Sequence, residues 1–216
     1  MGYYAVIDLE MCCVPRRIGK VAYPYSKELI QIGAVLLDES FKPVGDFMTY
    51  VHPQYGRIDP FIHGLTGISA ADVAGAPDIR EVLEAFLEWL PEDTVIVSWS
   101  PSDKSQIHKE TTGKGLYFPR IAQLFETWID CQKIFGEIMK SPKTYRLSEA
   151  LLISDVPYSD GAHDALVDAR NTALLYAKMM LEPEFTVSFY YSTEDKPVVS
   201  HSNPFDALFS KIDFAS

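Results

Sequence analysis

Two carboxylates lie two positions apart at the end of the first apolar run of the sequence. Residues 3–9 form this run and predict a buried strand, which carries Asp8 and leads into Glu10. Side chains at positions i and i+2 of a strand point to the same face. Two carboxylates buried side by side are unfavourable unless a cation lies between them, and oxygen ligands suit Mg²⁺ or Mn²⁺. The alternative is a solvated strand end with two surface acids.

A third carboxylate, Asp103, follows the predicted strand 94–98 and lies near the start of a predicted helix, 102–112. If this strand runs parallel to the first, its end and Asp8 lie at the same edge of the sheet. Asp103 is then a candidate partner for Asp8. The alternative is an ordinary acidic residue at a helix N-terminus, where the helix dipole favours negative charge.

A histidine and a fourth carboxylate lie close together further along the chain. His163 falls in a turn-rich segment, and Asp168 lies about one turn inside the predicted helix 165–181. Histidine titrates near neutral pH, so that a histidine on a loop beside a fixed carboxylate is a suitable general base. The alternatives are an N-cap role for Asp164 with His163 incidental, and Asp168 as an exposed helix acid.

Composition limits the classes of function. The chain has 216 residues, which suits one domain, and a formal net charge of −11, which argues against coating long stretches of nucleic acid. That charge leaves room for an enzyme that holds one strand end, because bound cations would neutralise phosphate locally. The sequence has three cysteines without framework spacing, no secretory signal and no membrane-length apolar run. We therefore expect a cytoplasmic protein that does not enter the membrane.

The elements that must position these residues are three strands, then alternating helices and strands, then helices. Strands are predicted at 3–9, 29–37, 44–51, 94–98 and 124–129. Helices are predicted shortly after residue 69 and at 78–90, 102–112, 131–140, 144–152 and 165–181. This order predicts an α/β domain over residues 1–182 whose mixed sheet begins with three antiparallel strands. Residues 183–216 are expected to form a C-terminal extension, packed on the domain or partly flexible, with a possible extra strand at 185–191.

The order of these motifs resembles the DEDDh branch of the DnaQ-like 3′→5′ exonucleases, which have a ribonuclease H-like fold. The segments that carry the resemblance are VIDLEMC (6–12), ELIQIGAVLLD (28–38), HGLTGIS (63–69) and HDALVDARNTA (163–173). The resemblance extends over residues 3–180. Within the family it is strongest to the group that contains KapD and the histone-mRNA and small-RNA exonucleases. One segment departs from the pattern: SWSPS (98–102) precedes Asp103 where such proteins usually carry a Gly- or Asn-containing turn.

The resemblance implies a five-stranded mixed sheet and a two-metal hydrolysis of phosphodiester bonds at the 3′ end of single-stranded RNA or DNA, with RNA favoured. Four carboxylates would hold two Mg²⁺ or Mn²⁺ ions: Asp8, Glu10, Asp103 and Asp168. His163 would act as general base, and nucleoside 5′-monophosphates would be released. Met11 and Leu65 would contact the terminal nucleotide, and ordinary packing is the alternative for both.

Two other functions remain open at this point. The chain could be the proofreading subunit of a DNA polymerase, or a non-catalytic regulator that binds nucleic acid or protein on the same fold. The oligomeric state is expected to be monomer or homodimer. A basic segment just past the first motif, with Arg16, Arg17 and Lys20, is a further candidate for phosphate contact.

Overall fold

The computed structural model of the protein describes residues 2–15, 23–159, 161, 163–182, 185 and 188. Within these residues, a five-stranded sheet with the order β3-β2-β1-β4-β5 lies between two layers of helices. The strands are β1 (Tyr3–Cys13), β2 (Lys27–Leu37), β3 (Pro43–Tyr50), β4 (Thr94–Ser98) and β5 (Ile129–Asp130). Strands β1 to β3 pair antiparallel, whereas β4 pairs parallel to β1, and β5 pairs parallel to β4. The predicted α/β class and mixed sheet are confirmed.

The helices follow the strands largely as the apolar spacing predicts. They are α1 (Pro60–Thr66), α2 (Ala70–Ala74), α3 (Ile79–Trp89), α4 (Ser102–Gly113), α5 (Pro119–Glu126), α6 (Cys131–Ile138), α7 (Leu147–Ile153) and α8 (Ala165–Leu181). Among the described residues, no helix has the length and apolar character needed to cross a membrane.

Side chains of β1 alternate between two hydrophobic layers. Ala5, Ile7 and Leu9 point to the face that is covered by α3, α4 and α5. Val6 points to the opposite face, which is covered by α6, α7 and α8. Because Asp8 and Glu10 are even-numbered like Val6, they belong to the face on which α8 packs.

Two elements differ from the sequence prediction. Helix α1 was missed, although Asp59 caps it, Pro60 starts it and Gly67 ends it in the left-handed conformation at φ 72°. The strand predicted at 124–129 is wrong, because residues 124–126 belong to helix α5 and the strand begins only at Ile129. The apolar residues of this region, Ile121 and Leu124, are spaced for a helix that packs on the sheet.

The C-terminal extension is described at two positions. The ring of Phe185 lies 6.0 Å from that of Phe135, and the N–H of Ser188 donates to the carbonyl of Ile153 at 2.6 Å. The possible strand at 185–191 lies mostly outside the described residues, as does the rest of the extension. The basic segment with Arg16, Arg17 and Lys20 also lies outside them.

Candidate metal centre

Strand β1 carries the first two carboxylates next to two unusual residues of β2. Asp8 lies opposite Gly33, and Glu10 lies opposite Gln31. At the following step the register shifts, because Met11 pairs with Leu29. This shift leaves one extra residue on β2, which is a β-bulge, a feature that often re-aims side chains beside active sites.

Helix α8 begins directly on these two residues of β2. The side-chain oxygen of Gln31 accepts the N–H of Ala165 at 3.0 Å. A Cβ atom on Gly33 would lie only 2.2 Å from the main-chain nitrogen of Leu166, so that only glycine permits this approach. The first turn of α8 is therefore held against β2, beside the carboxylates of β1.

Asp168 and His163 reach the site from the start of α8. Asp164 caps the helix, since its carboxylate accepts the N–H groups of Leu166 and Val167. Asp168 accepts the main-chain N–H of His163 at 2.8 Å. Glu10, His163 and Asp168 each have a potential ligand atom that lies within 4.8 Å of those of the other two. The three residues can therefore share one small ligand.

Asp103 reaches the same site through a turn made of serines. The hydroxyl of Ser98 donates to the carbonyl of Ser100 at 2.6 Å and accepts the indole N–H of Trp128 at 2.9 Å. The hydroxyls of Ser100 and Ser102 lie 2.6 Å apart, and that of Ser102 donates to Asp103 at 3.4 Å. Side-chain hydrogen bonds thus form the turn SWSPS (98–102), which the sequence analysis singled out as a departure from the motif pattern. The turn places Asp103, only 4% exposed, in the first turn of α4.

Burial and mutual repulsion raise the pKa values of these carboxyl groups. Burial and the negative charges of Asp168 and Asp103 raise the pKa of Glu10 to about 8. Burial and the neighbouring carboxylates raise the pKa of Asp8 well above its usual range. Burial raises the pKa of Asp103 to about 7, and burial also raises that of Asp168. Without a cation, the site therefore binds protons instead.

These properties fit a site for a divalent metal. Carboxylate oxygens are hard ligands that suit Mg²⁺ or Mn²⁺, and a bound cation would remove the repulsion that raises the pKa values. The N-terminal ends of α4 and α8 both meet at the site and add partial positive charge. Of the two predicted candidates for contact with the terminal nucleotide, Met11 directly follows Glu10 in the sequence. Met11 is partly buried against the core, whereas Leu65 is 39% exposed on α1.

A buried network of charged side chains connects two elements next to the site, and the sequence analysis did not predict it. The ammonium group of Lys114 lies 2.6 Å from the carboxylate of Glu28 and 2.9 Å from that of Glu110. Glu110 also accepts the N–H of Leu29 at 2.8 Å and the side-chain amide of Gln106 at 2.9 Å. The network joins α4, which carries Asp103, to the start of β2.

Gln31 and Gly33 were missed as well, although the sequence contains a signal for both. They interrupt the apolar run LIQIGAVLL of β2 with an amide and with a residue that lacks a side chain. Each interruption of a buried strand calls for a reason, such as a close backbone approach at a glycine. The partner in that approach lies 134 positions away, and no local pattern identifies it.

Comparison with known proteins identifies related sequences over most of the chain. Residues 5–176 match the model of the RNase_T family, which is described as exonuclease. The DNA polymerase III subunit epsilon of Aquifex aeolicus is 30% identical over 198 residues, with 88% of each chain covered. ERI1 exoribonuclease 2 of Danio rerio is 29% identical over 205 residues, which cover 84% of this chain. The match spans only 35% of the zebrafish protein, so that the chain corresponds to about a third of it.

Solved structures share the fold. The nuclease domain of 3′hExo, a DEDDh family member bound to rAMP, superposes with a TM-score of 0.71 at 23% identity, covering 86% of this chain and 96% of that one. Exonuclease X in complex with 5′ overhanging duplex DNA superposes with a TM-score of 0.56 at 20% identity, covering 82% of this chain and 90% of that one. At this level of identity the likeness concerns the fold, and it confirms the predicted ribonuclease H-like sheet.

Proposed function

Because the chain belongs to the DEDDh branch of the DnaQ-like 3′→5′ exonuclease family, we propose that it removes nucleotides one at a time from the 3′ end of a single strand. The observation that carries this proposal is the meeting of four carboxylates and one histidine at one edge of the sheet. A binding module has no physical need for four crowded carboxylates that repel one another. Membership of this family implies a divalent metal, and we propose two Mg²⁺ or Mn²⁺ ions.

Each side chain of the site has a distinct part in the proposed reaction. Asp8, Glu10, Asp103 and Asp168 would hold the cations, which would stabilise the charge that develops on the scissile phosphate. The imidazole of His163 takes a proton from the attacking water. The oxygen of that water bonds to phosphorus, and the bond to the 3′ oxygen of the preceding nucleotide breaks. That oxygen takes up a proton, and a nucleoside 5′-monophosphate leaves.

The position of His163 suits this exchange of protons. It is exposed, so that the imidazole can pass its proton to solvent, while its main-chain N–H is fixed on Asp168 at 2.8 Å. A mobile ring on an anchored main chain can meet the attacking water and then exchange with bulk water. The exposed side chain of Leu65 and the partly buried Met11 are proposed to contact the terminal nucleotide.

We favour RNA over DNA as the substrate. Support comes from relatives named as exoribonucleases, such as ERI1 exoribonuclease 2 of Danio rerio and 3′-5′ exoribonuclease 1 of Rattus norvegicus. Recognition of the 2′-hydroxyl distinguishes the two nucleic acids at such sites. All three cysteines are free thiols, and the location that we propose is the reducing cytoplasm.

A proofreading subunit is the second candidate. It is favoured by the 30% identity to the epsilon subunit of Aquifex aeolicus, because that match covers 88% of both chains. The chemistry would be the same, and the partner would be a polymerase. Co-purification with a replicative polymerase separates the two candidates, since an RNA exonuclease does not need that partner.

A gel assay tests the proposed activity. The substrates are 5′-labelled single- and double-stranded RNA and DNA of one sequence, incubated with Mn²⁺ or with chelator. We expect a ladder that shortens from the 3′ end, fastest on single-stranded RNA and absent with chelator. Asp8→Ala should abolish the ladder, because it removes a carboxylate from the centre of the cluster.

His163→Ala is the second variant in this assay. It should lower the rate by about 10²- to 10⁴-fold, the usual contribution of a general base, while thermal stabilisation by Mn²⁺ persists. His108→Ala serves as the matched control, since His108 is exposed on α4 and contacts Phe125. Wild-type rates in His163→Ala would remove this residue from the mechanism, and internal cuts would contradict an exonuclease.

A further inference from the structure

The end of β1 lies between two exposed cations. On one side of Cys13 is Lys27, the first residue of β2, and on the other side is Arg57, in an isolated antiparallel bridge. The peptide that joins Cys13 and Val14 shows this arrangement. Its carbonyl accepts the N–H of Arg57 at 2.9 Å, and its N–H donates to Ser26, beside Lys27, at 2.8 Å. The main chains of Lys27 and Arg57 are two strand spacings apart, which is about 10 Å.

The main chains of both cations are fixed. The carbonyl of Lys27 accepts hydrogen bonds from Gln106 at 3.2 Å and from Tyr23 at 3.0 Å. Arg57 follows a loop whose N–H groups at Gln54, Tyr55 and Gly56 donate to the buried carboxylate of Glu28. The buried network behind the metal centre therefore also anchors these two residues.

The side chains of both cations are available for a ligand. Lys27 and Arg57 are exposed, and within the described residues neither side chain has a hydrogen bond or an ion pair. Seven of the twelve other basic side chains that the structure describes already have intramolecular partners: Lys104, Lys114, Arg120, Lys133, Lys143, Arg170 and Lys178. The pair at the end of β1 differs from these seven.

The pair is also close to the metal centre. Cys13 lies three residues beyond Glu10 along β1, which corresponds to about 10 Å. A strand whose 3′ end occupies the site can therefore pass the two cations within its next few nucleotides.

We infer that Lys27 and Arg57 bind the phosphates that precede the scissile phosphate in a single-stranded nucleic acid. This inference rests on the proposed function and adds where the rest of the strand lies. The molecule carries a net charge of −11, so that it repels a polyanion except where cations are exposed. Two exposed cations beside the site give a strand one locally favourable path.

A cleft elsewhere on the molecule also carries lysines, but it is a weaker candidate for binding the strand. It has a volume of about 590 Å³ between α6 and the segment that follows, and its lining includes Lys133, Lys140 and Lys143. The same cleft contains Asp130 and Glu137, and Lys143 already pairs with Glu149. Its excess of positive charge is therefore small. This cleft supplies the matched control for the experiment.

The experiment compares long and short substrates with the double variant Lys27→Ala/Arg57→Ala. The long substrate is a 12-nucleotide single strand, and the short one is a dinucleotide, which has no phosphates beyond the scissile one. We expect KM for the long strand to rise about tenfold at low salt, with kcat unchanged. The slope of log KM against log salt should fall by about 1.4, or about 0.7 per lost phosphate contact. Both constants for the dinucleotide should stay at wild-type values.

Three further variants make the result specific. Lys27→Arg/Arg57→Lys keeps both charges and should restore most of the affinity. Lys42 lies in the turn between β2 and β3, away from the site, and the Lys42→Ala variant should have the KM of the wild type. Lys133→Ala/Lys140→Ala tests the second cleft and should also match wild type. An increase in KM for that variant instead of the Lys27/Arg57 variant would overturn the inference.

A binding measurement separates this inference from the proposed function. Fluorescence anisotropy with a labelled 12-nucleotide strand in Ca²⁺ reports binding without requiring cleavage. Weaker binding by the Lys27→Ala/Arg57→Ala variant supports the inference whatever the cleavage assay gives, and wild-type binding overturns it. Failure of the wild-type protein to cleave the dinucleotide in Mn²⁺ would count against the proposed function alone.

Discussion

Glu10 shows how protons and metal ions compete at a single side chain. Its pKa of about 8 lies well above the ordinary 4.5, and that of Asp103, about 7, lies above the ordinary 3.8. At neutral pH, Glu10 is therefore mostly protonated and Asp103 about half protonated in the folded state, whereas both have lost their protons in the unfolded chain. A divalent ion would have to displace these protons, so that its affinity should increase as the pH rises.

The pH dependence of stability follows from the same values. A group with a raised pKa in the fold contributes stability that is complete below its unfolded pKa and is lost as the pH rises through its folded pKa. For the metal-free protein, the contributions of Glu10 and Asp103 are therefore complete below about pH 4 and lost by about pH 8. Differential scanning fluorimetry with chelator should show a lower melting temperature at pH 8.5 than at pH 6.

Divalent ions should reverse this loss. Mg²⁺ or Mn²⁺ should raise the melting temperature more at pH 8.5 than at pH 6, because fewer protons then compete for the carboxylates. Glu10→Gln is the control variant: it cannot ionise, so that both its pH dependence and its response to the ions should be smaller. Equal melting temperatures with ion and with chelator at both pH values would contradict a metal centre at these residues.

At the scale of elements, the start of α8 packs closely against strand β2. Gly33 lies against the main chain of Ala165 and Leu166, and this contact determines where Asp168 stands relative to Glu10. Gly33→Ala should force the helix away from the strand and destabilise the protein by about 1–3 kcal/mol, the usual effect of overpacking. Its cleavage rate should fall as well, because the carboxylates separate. Urea unfolding and single-turnover cleavage measure the two effects.

Gly45→Ala is the matched control for the substitution at Gly33. Gly45 also lies in a strand, but a Cβ atom there would meet the ring of Trp89 at 3.8 Å and the Cβ of Leu36 at 4.0 Å, which are ordinary contacts. Its stability and cleavage rate should stay near wild type. If Gly33→Ala behaves like Gly45→Ala in both measurements, the close approach does not position the site.

The elements that could be predicted are those that carry their own periodic pattern. Helix α3 repeats apolar residues at helical spacing, and β1 and β2 are mostly apolar runs, so that each was recognisable locally. Helix α5 was taken for a strand because its few apolar residues lie next to the true strand at Ile129. Helix α1 is short, and its capping residues Asp59 and Gly67 are also common in turns.

The sequence predicts which residues belong to the candidate site, but not the contacts that hold them there. The order of the motifs predicts Asp8, Glu10, Asp103, His163 and Asp168 as its members, and the family assignment drawn from that order is confirmed. Their roles in catalysis stay predictions. The serine turn before Asp103 and the contact of Gln31 with Ala165 depend on how distant segments meet. Such contacts leave no periodic signal in the sequence.

At the scale of the whole molecule, the described residues show where the C-terminal extension meets the domain. Phe185 packs near Phe135 and lies 5.7 Å from the ammonium of Lys178, beyond the predicted domain end at residue 182. A chain that ends at residue 190 should therefore keep wild-type melting and cleavage. A chain that ends at residue 182 should melt roughly 2–8 °C lower, for a loss of about 1–2 kcal/mol of apolar burial.

Phe185→Ala in the full-length chain is the control for this comparison. It should reproduce most of the lower melting temperature of the chain that ends at residue 182, because both lose the same ring. Loss of cleavage in the chain that ends at residue 190 would contradict the prediction and show that the later part of the extension takes part in the activity.

The backbone at His163 sets stability and activity against each other. Its φ of 69° lies in the left-handed region, which is unfavourable by roughly 1–2 kcal/mol for residues other than glycine. Glycine at this position would relax the backbone and remove the imidazole at the same time. Selection for thermostability alone would therefore favour a residue that lacks the proposed general base. In a survey of engineered or thermophilic variants, we expect a glycine there to accompany lost cleavage.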